Sequence, residues 1–319
     1  MTEARTVFIL VHTGRAGAAK IAAEFSIALR EAGIGIRTLN DDLESLRDAG
    51  LDDVEGVDAA PGAALGCELA VVFGGDGTIL RGAELCRGAK TPIVGVNLGH
   101  VGFLAEADVE DLHELVDGVV NRTYKVEERL TIDVAVRVAG KVVSRTWALN
   151  EAAVEKASRE RMLEVVVEID DRPLSRWGCD GVVCATPTGS TAYNFSAGGP
   201  IVWPELAALL MVPISAHALF ARPLVVSPDS KLAIEVVASA PAHGVLWCDG
   251  RRADDLPPGA RVEVTRGHEP VLLARLKTAP FTDRLVRKFD LSVAGWRGVA
   301  ERRLGEAAAE QAAADAAEA

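Results

Sequence analysis

The chain has 319 residues, of which 49% are hydrophobic and 25% are charged, a composition typical of a globular protein long enough for two domains. Its formal net charge of -12 argues against general nucleic-acid binding, because no basic excess is available to displace phosphate counterions. The five cysteines form neither a CxxC pair nor a zinc spacing, so we expect free thiols in a cytoplasmic protein without a signal peptide.

Up to residue 125, predicted strands alternate with predicted helices. We expect strands at 7–11, 34–39, 69–73 and 92–96 and helices at 18–32, at 79–85 and from Asp108 onward. This alternation predicts an α/β domain with a parallel sheet over residues 1–125. The acidic stretch 40–62 is interpreted as a variable surface segment.

A run of glycines lies between the strand at 69–73 and the helix at 79–85. Its sequence, Gly-Gly-Asp-Gly-Thr at 74–78, directs backbone N–H groups and a helix N-terminus at an anion, most often phosphate. A carboxylate within such a loop makes sense only beside a metal ion or a hydroxyl proton. Asp76 is therefore a candidate catalytic base for phosphoryl transfer to an alcohol. The alternative is a tight turn in which Asp76 only caps the helix.

From residue 126 onward, strand follows strand. Turn sequences at Ala139-Gly140 and at 170–172 separate alternating segments and indicate hairpins. Further strands are expected at 231–238, 244–248, 261–265 and 271–276. The pattern predicts an all-β, antiparallel, sandwich-like domain over residues 126–278. The Ala- and Glu-rich residues 301–319 predict a marginal helix or a disordered tail.

Two dense polar clusters lie in this second region. Asn150-Glu151 follows a predicted strand, where an amide can read a base edge and a carboxylate can hold ribose hydroxyls, although such a pair also occurs in ordinary turns. The segment 186–191, Thr-Pro-Thr-Gly-Ser-Thr, crowds hydroxyls into one loop and is soon followed by Tyr193. Hydroxyls suit a phosphate-bearing ligand and the ring can stack on a base, whereas the alternative is a structural turn rich in serine and threonine.

Several other sites are excluded by the sequence. There is no Walker A run, no G-x-G-x-x-G after the first strand, no G-x-S-x-G elbow and no protein-kinase motif. The six histidines show no clustered ligand spacing, so no metal site made only of protein groups is expected. The most membrane-like window, 206–226, contains two prolines, a histidine and an arginine, and predicts a core helix followed by a loop rather than a membrane span.

Polar and glycine-rich segments follow one another in a fixed order along the chain. They are Gly74-Gly75-Asp76-Gly77-Thr78, 97–104, Leu149-Asn150-Glu151, Gly178-Cys179-Asp180-Gly181, 186–193, 196–200, 213–217 with Arg222-Pro223, and Asp249-Gly250. Single motifs of this set are widespread, but together and in this order they resemble the NAD kinases, in the style of the actinobacterial branch. The resemblance extends from Val7 to about Gly298.

The resemblance implies an activity and an assembly. NAD kinases transfer the γ-phosphoryl group of ATP to the 2′-hydroxyl of the adenosine ribose of NAD and form NADP. We expect a divalent cation to be needed, and we expect Mg²⁺ because that ion prefers phosphate oxygens. Whether inorganic polyphosphate also serves as donor stays open. Family members form homodimers or homotetramers, and their C-terminal segment, here 279–300, returns to the first domain.

The family roles carry over to individual residues. Asp76 matches the proton acceptor, and the residues matching NAD-binding positions are Asp76, Gly77, Asn150, Glu151, Asp180, Thr191, Ala192, Tyr193, Asn194 and Ser196. The positions expected to meet phosphate or nucleotide are Gly74, Gly75, Thr78, Arg81 and Arg161. Two positions depart from the family pattern: Ala216 precedes His217 where many members have proline, and Arg251 occupies a position where glutamine is common.

Two further hypotheses are compatible with the glycine loop. A lipid or sphingoid-base kinase shares it, but the sequence has no membrane-binding amphipathic stretch, and Asn150-Glu151 favours a dinucleotide. A non-catalytic NAD-binding regulator would be marked by loss of the acid, and Asp76 is present. We therefore expect an NAD kinase.

Overall fold

A computed structural model describes residues 5–12, 14–15, 17–99, 102–159, 161–239, 242–276 and 280–293. These residues form one mainly parallel sheet and two antiparallel sheets, so the predicted fold class, α/β together with all-β, is confirmed. The tail predicted at 301–319 lies outside the described residues. Within the described ranges, every helix is too short or too polar to span a bilayer.

The first sheet has eight strands in the described part of the chain. They are β1 (Thr6–Val11), β2 (Gly35–Leu39), β3 (Glu55–Val57), β4 (Leu69–Phe73), β5 (Ile93–Asn97), β6 (Ala107–Asp108), β7 (Lys125–Arg129) and β20 (Val271–Arg275). Their order is β3-β2-β1-β4-β5-β20-β7, with β6 paired to β5, and only β20 and β7 run antiparallel to each other. Val11 is in register with Phe73 and Phe73 with Val96, so the carboxyl ends of β1, β4 and β5 are level where the glycine loop begins.

Helices cover both faces of this sheet. They are α1 (Ala18–Glu31), α2 (Leu43–Asp48), α3 (Asp76–Cys86) and α4 (Leu112–Val120). Leu29 of α1 and Leu115 of α4 share a core cluster with Ile9, while Ile79 of α3 shares the opposite cluster with Phe8. Burial on both faces explains why β1 and β4 are continuous apolar runs in the sequence.

The interpretation of 40–62 as a variable surface segment is wrong. This stretch contains α2 and the edge strand β3, and Leu46 and Leu51 are buried in the core beside α1. Asp42 is buried as well, with its carboxyl oxygen 3.4 Å from the N–H of Val11. The many acidic residues hid the few apolar positions that fix the segment to the sheet.

The second domain is a pair of antiparallel sheets that enclose one core. Its strands are β8 (Ile132–Val138), β9 (Lys141–Ala148), β10 (Glu151–Lys156), β11 (Leu163–Ile169), β12 (Arg172–Cys179), β13 (Gly181–Ala185), β14 (Leu209–Ile214), β15 (Leu224–Val226), β16 (Leu232–Val236), β17 (Gly244–Cys248), β18 (Arg252–Leu256) and β19 (Arg261–Arg266). One sheet has the order β15-β14-β13-β10-β17-β18 and the other β12-β11-β16-β19-β8-β9.

The two predicted hairpins are confirmed. Ala139-Gly140 joins β8 to β9 and Asp170-Asp171 joins β11 to β12, each as a two-residue loop with positive φ at both positions. Such loops match the right-handed twist of the paired strands. The core helix predicted within 206–226 is wrong, because Leu209–Ile214 is the buried strand β14. A short apolar run does not distinguish a buried strand from a buried helix.

One predicted strand lies in a different sheet from the one expected. The segment 271–276 was expected to continue the antiparallel domain, but β20 pairs with β5 and β7 of the first sheet. Its alternation indicates a strand and carries no information on the partner. The chain thus returns to the first domain at β20, before the C-terminal helix.

The C-terminal helix α6 (Phe281–Phe289) contacts both domains. The ring of Phe103, in the first domain, lies 6.2 Å from that of Phe281 and 5.7 Å from that of Phe289. The ring of Phe195, in the second domain, lies 4.7 Å from that of Phe289. Arg284 of the same helix donates to the carbonyl of Phe103 at 3.2 Å. α6 therefore packs across the seam between the domains.

Candidate active site

The glycine loop connects β4 to α3 at the carboxyl edge of the first sheet. A Cβ on Gly74 would lie 2.4 Å from the Oγ1 of Thr78, so only glycine allows this packing beneath the helix. A Cβ on Gly75 or Gly77 would meet nothing within 4 Å, which leaves the loop backbone open on the side of the cleft. Since an α-helix leaves its first N–H groups without partners inside the helix, this edge of the sheet suits an anion.

Asp76 is the first helical residue of α3 and its carboxylate is held by a second segment. Its Oδ2 accepts from the N–H of Phe103 and its Oδ1 from the N–H of Leu104, both at 3.1 Å. A Cβ on Gly102 would lie 2.3 Å from Oδ1, so the approach requires glycine there. The helix-cap alternative is wrong, because Gly75 is the N-cap residue and no side chain caps α3. Each oxygen of Asp76 retains acceptor capacity for a further proton donor.

A cavity of about 630 Å³ lies above the loop. It is lined by Val11, His12, Gly14, Arg15, Gly75, Gly77, Thr78, Arg81 and Arg251. The predicted Arg81 thus lies beside Gly75, Gly77 and Thr78, and two arginines that the sequence analysis did not assign join it. The positive charge of Arg81 also acts on the carboxyl of Asp42: burial raises the pKa of that carboxyl, and the charge of Arg81 opposes the rise. Three guanidinium groups and a helix N-terminus make this cavity suitable for phosphate.

Asn150-Glu151 is held in place by a buried carboxylate, Asp249, at the turn between β17 and β18. Asp249 accepts from the N–H groups of Leu149 at 3.0 Å, Asn150 at 2.7 Å and Glu151 at 3.4 Å, and pairs with Arg252 at 2.8 Å. Burial raises the pKa of Asp249, and the three N–H donors and Arg252 oppose that rise. Asp249 belongs to the Asp249-Gly250 motif found in the sequence, but only its hydrogen bonds in the structure show that it positions Asn150-Glu151.

Glu151 is a buried acid with unused hydrogen-bonding capacity. Glu151 is only 7% exposed, and its Oε2 has no hydrogen-bond partner among the described residues. Burial, with the nearby charge of Asp249, raises the pKa of Glu151 to about 8, and the N–H of Tyr193 opposes the rise. Glu151 lines a cavity of about 360 Å³ together with Tyr193, Trp247 and Gly250. A buried carboxyl beside an aromatic ring suits the hydroxyls of a nucleoside.

The hydroxyl-rich loop packs directly on this pair. The Oγ1 of Thr186 donates to the carbonyl of Leu149 at 2.6 Å, and the N–H of Thr186 donates to the carbonyl of Asn150 at 2.9 Å. A Cβ on Gly189 would lie 2.0 Å from the carbonyl oxygen of Asn150, so the loop approaches as closely as glycine permits. The two polar clusters of the sequence therefore form one unit.

The remaining predicted residues of this loop differ in placement. Tyr193 opens the short helix α5 (Tyr193–Ser196), and burial together with a hydrogen bond to Glu155 raises the pKa of its hydroxyl. Ala192 is partly exposed and Ser196 exposed, whereas Asn194 is fully buried. The Nδ2 of Asn194 donates to the carbonyls of Ser190 and Pro200, so its side chain braces the loop.

Thr191 faces a different cavity, of about 260 Å³, at the seam between the domains. Phe103 and the guanidinium groups of Arg129, Arg275 and Arg284 also line it. Arg275 and Arg284 share the carboxylate of Glu106, at 2.7 Å and 2.6 Å. Thr191 therefore lines the same cavity as Phe103, from the segment that holds Asp76, and Phe281 of helix α6.

Asp180 and Arg161 line neither the cavity above the glycine loop nor the cavity beside Glu151. Asp180 follows β12 and pairs with Lys156, and the hydrogen bond from Lys156 lowers the pKa of Asp180. The negative charge of Asp180 contributes to the raised pKa of the Tyr193 hydroxyl. Arg161 lies exposed in the loop between β10 and β11. Among the described residues, no three His, Cys, Asp or Glu side chains converge as they would around a metal ion.

An acid fixed within a phosphate-binding loop, with a second-domain cavity lined by aromatic rings and a buried carboxyl, defines a nucleotide-dependent phosphotransferase. Comparison with protein-family models identifies the family of phosphotransferases to which the chain belongs. The model of the ATP-NAD kinase N-terminal domain matches residues 7–124, and that of the ATP-NAD kinase C-terminal domain matches residues 149–276. The chain belongs to the NAD kinase family, as its motifs predicted.

Relatives of known name and solved structures are similar over most of the chain. NAD kinase 2 of Streptomyces avermitilis is 62% identical over 298 residues, which are 93% of this chain and 98% of that protein. NAD kinase of Thermobifida fusca is 60% identical over 308 residues, 95% of this chain and 94% of that one. Yeast NADH kinase complexed with NADH has a TM-score of 0.81 at 25% identity and covers 91% of this chain and 88% of its own. An Archaeoglobus fulgidus NAD kinase in complex with ATP has a TM-score of 0.65 at 25% identity, with 90% and 100% covered.

Proposed function

We propose that this chain transfers the γ-phosphoryl group of ATP to the 2′-hydroxyl of the adenosine ribose of NAD and so forms NADP. The observation that carries the proposal is the carboxylate of Asp76, fixed by the N–H groups of Phe103 and Leu104 within the phosphate-binding loop. A carboxylate in that position can accept the proton of a substrate hydroxyl as the phosphoryl group is transferred to it.

The donor phosphates are assigned to the cavity above the glycine loop. The first-turn N–H groups of α3 and the guanidinium groups of Arg15 and Arg81 supply the positive potential there. The structural relative from Archaeoglobus fulgidus was solved with ATP, which supports a nucleoside triphosphate as donor. Inorganic polyphosphate carries the same linear phosphates, and we propose it as a second donor to be tested.

The acceptor is assigned to the cavity beside Glu151. The Oε2 of Glu151 lacks a hydrogen-bond partner among the described residues, and a ribose hydroxyl would satisfy it. The ring of Tyr193 lines the same cavity and can stack on a base. The structural relative from yeast was solved with NADH, which supports a dinucleotide acceptor.

The chemistry then follows from the position of Asp76. As the 2′-oxygen attacks the γ-phosphorus, the bond from that phosphorus to the bridging oxygen of ADP breaks, and Asp76 takes the hydroxyl proton. General-base help of this kind contributes roughly 10²–10⁴-fold in rate. The two N–H donors leave the carboxylate one orientation, so it does not have to be reoriented as the reaction begins.

A divalent cation, Mg²⁺ in our proposal, would be held mainly through the donor phosphates. No cluster of three potential ligands converges among the described residues. This fits an ion that keeps phosphate oxygens and water as ligands. Bound there, it would neutralise charge that develops on the donor.

We also propose that the chain works in the cytoplasm as a homodimer or homotetramer. The five cysteines are buried free thiols, as expected of a reducing compartment. Leu219 and Phe220 expose large apolar side chains in the loop after β14, a surface that association would cover. Light scattering of the purified chain measures the assembly directly, and a monomer at micromolar concentration would contradict it.

The function is tested by a coupled assay of NADP formation from NAD, ATP and Mg²⁺ with the purified full chain. We expect NADP to form, the rate to collapse in excess EDTA, and no phosphorylation of diacylglycerol or sphingosine. The absence of NADP, or phosphorylation of either lipid in preference to NAD, would overturn the proposal. Undiminished turnover in EDTA would overturn the role of the cation alone.

A further inference from the structure

Arg251 lies in a turn whose residues line both substrate cavities. It follows Asp249 and Gly250, whose φ angles of 54° and 63° reverse the chain between β17 and β18. Within this turn, Asp249 holds the backbone of Asn150, and Gly250 lines the cavity of Glu151. Arg251 itself lines the cavity above the glycine loop. One turn of the second domain therefore touches both the acceptor side and the donor side.

The cavity above the loop concentrates positive charge in a chain whose net charge is -12. Arg15, Arg81 and Arg251 reach it from three separate places: the loop after β1, helix α3 and the turn after β17. Arg251 is paired with Glu84 of α3 at 3.2 Å, a carboxylate that it shares with Arg252. This pair links the second domain to the helix that carries Asp76.

The ion pair between Arg251 and Glu84 is easily exchanged. Their side chains are 37% and 24% exposed, so water screens the attraction and the pair contributes little to stability. A guanidinium can instead form two parallel hydrogen bonds to a phosphate that carries more charge than one carboxylate. The helix N-terminus supplies only about half an elementary charge, so a third guanidinium beside those of Arg15 and Arg81 brings the cavity closer to the charge of a chain of phosphates.

We propose that Arg251 binds the phosphate chain of the phosphoryl donor from the second domain, and that Glu84 competes with those phosphates for its guanidinium. The inference rests on the proposed function and assigns a residue to its donor side. The ligand chemistry is a linear chain of phosphates, as in a nucleoside triphosphate or in inorganic polyphosphate. When donor binds, the cation of Arg251 exchanges its carboxylate partner for phosphate.

The experiment compares two neutralising variants that this exchange affects in opposite directions. Calorimetric titrations of inorganic tripolyphosphate and of ATP with Mg²⁺ are made into the full chain. We expect Arg251→Gln to weaken both ligands roughly tenfold, the effect of losing a charge-assisted contact. Glu84→Gln should strengthen both a few-fold, because the competing carboxylate is gone. Arg145→Gln, which removes an exposed charge on β9 away from both cavities, is the matched control and should change neither.

The outcomes separate this inference from the function itself. If Arg251 and Glu84 form only a structural link between the domains, both variants should weaken binding and lower the melting temperature together. That result, or an unchanged affinity in Arg251→Gln, overturns the inference. Loss of ATP affinity without loss of tripolyphosphate affinity also overturns it, because the arginine would then contact the nucleoside. Wild-type NADP formation is measured beside these titrations, and its absence would overturn the proposed function whatever the titrations show.

Kinetics gives a second readout. Arg251→Gln should raise KM for ATP about tenfold and leave KM for NAD within twofold of wild type, since Asp249 and Gly250 keep their places on the acceptor side. An equal rise in both KM values would indicate that the substitution disturbs the whole turn, which also counts against a donor-specific role.

Discussion

Replacement of Asp76 by asparagine separates the two roles that the structure gives this residue. The carboxylate accepts one N–H on each oxygen, from Phe103 and from Leu104. Asparagine offers one oxygen and one NH₂ group, so one of the two backbone N–H groups would face a donor instead of an acceptor. The variant therefore loses the proton acceptor and also one of the two bonds that hold the segment after Gly102.

The two losses differ in size and in what they affect. The lost bond was made to a charged acceptor, and its removal costs about 1.5–3 kcal/mol of docking between α3 and the segment. The lost base removes roughly 10²–10⁴-fold from the rate. We expect kcat to fall at least about a hundredfold in Asp76→Asn and the melting temperature to drop by a few degrees. NAD affinity should stay near wild type, because Asn150 and Glu151 lie in the other domain.

Three measurements on the same preparation check this: kcat from the coupled assay, NAD affinity by calorimetry, and the melting temperature. The result that refutes the general base is an Asp76→Asn enzyme with kcat within tenfold of wild type. A large loss of kcat accompanied by an equal loss of NAD affinity would mean that Asp76 serves mainly as an anchor. Either result would leave the fold assignment intact.

Three further outcomes are expected. Gly102→Ala places a Cβ 2.3 Å from Oδ1 of Asp76, so the substitution should lower kcat at least tenfold while KM for NAD changes little. Wild-type kinetics in this variant would show that the contact is dispensable. Burial raises the pKa of Glu151 from 4.5 to about 8, so the folded apo chain loses stability as the pH rises between these two values. Glu151→Gln removes this loss, so the melting temperature of the variant relative to wild type should rise from pH 5 to pH 8 in differential scanning fluorimetry. A difference in melting temperature that stays constant with pH would contradict the burial argument. Asp180→Ala and Tyr193→Ala should each raise KM for NAD more than KM for ATP, and an effect on ATP alone would mean that neither residue belongs to the acceptor site.

Local sequence signals predicted the parts of the fold that depend on neighbouring residues. The strand at 69–73 is a buried apolar run, and the Ala139-Gly140 turn takes the positive φ angles that a two-residue hairpin needs. The glycine loop was identified for the same reason, because a strand end, a phosphate-binding turn and a helix start are adjacent in the chain. These features need no distant contact to be recognised.

The features that the sequence did not reveal depend on contacts between distant segments. Asp249 holds Asn150 across 99 positions, and nothing near Asp249 in the sequence indicates that partner. β20 was recognisable as a strand, but its place between β5 and β7 is decided by the return of the chain to the first domain. Arg15 and Arg251 are ordinary loop arginines until the fold brings them to one cavity.

The fixed orientation of Asp76 depends on more than the loop that contains it. The N–H of Phe103 binds the carboxylate, while the ring of Phe103 packs against Phe281 and Phe289 of α6 and its carbonyl accepts from Arg284. The same helix contacts the second domain, because the ring of Phe289 lies 4.7 Å from that of Phe195. The carboxylate of Asp76 is thus held by a continuous series of contacts through Phe103 and α6 to Phe195 of the second domain, so its orientation depends on packing well beyond the glycine loop.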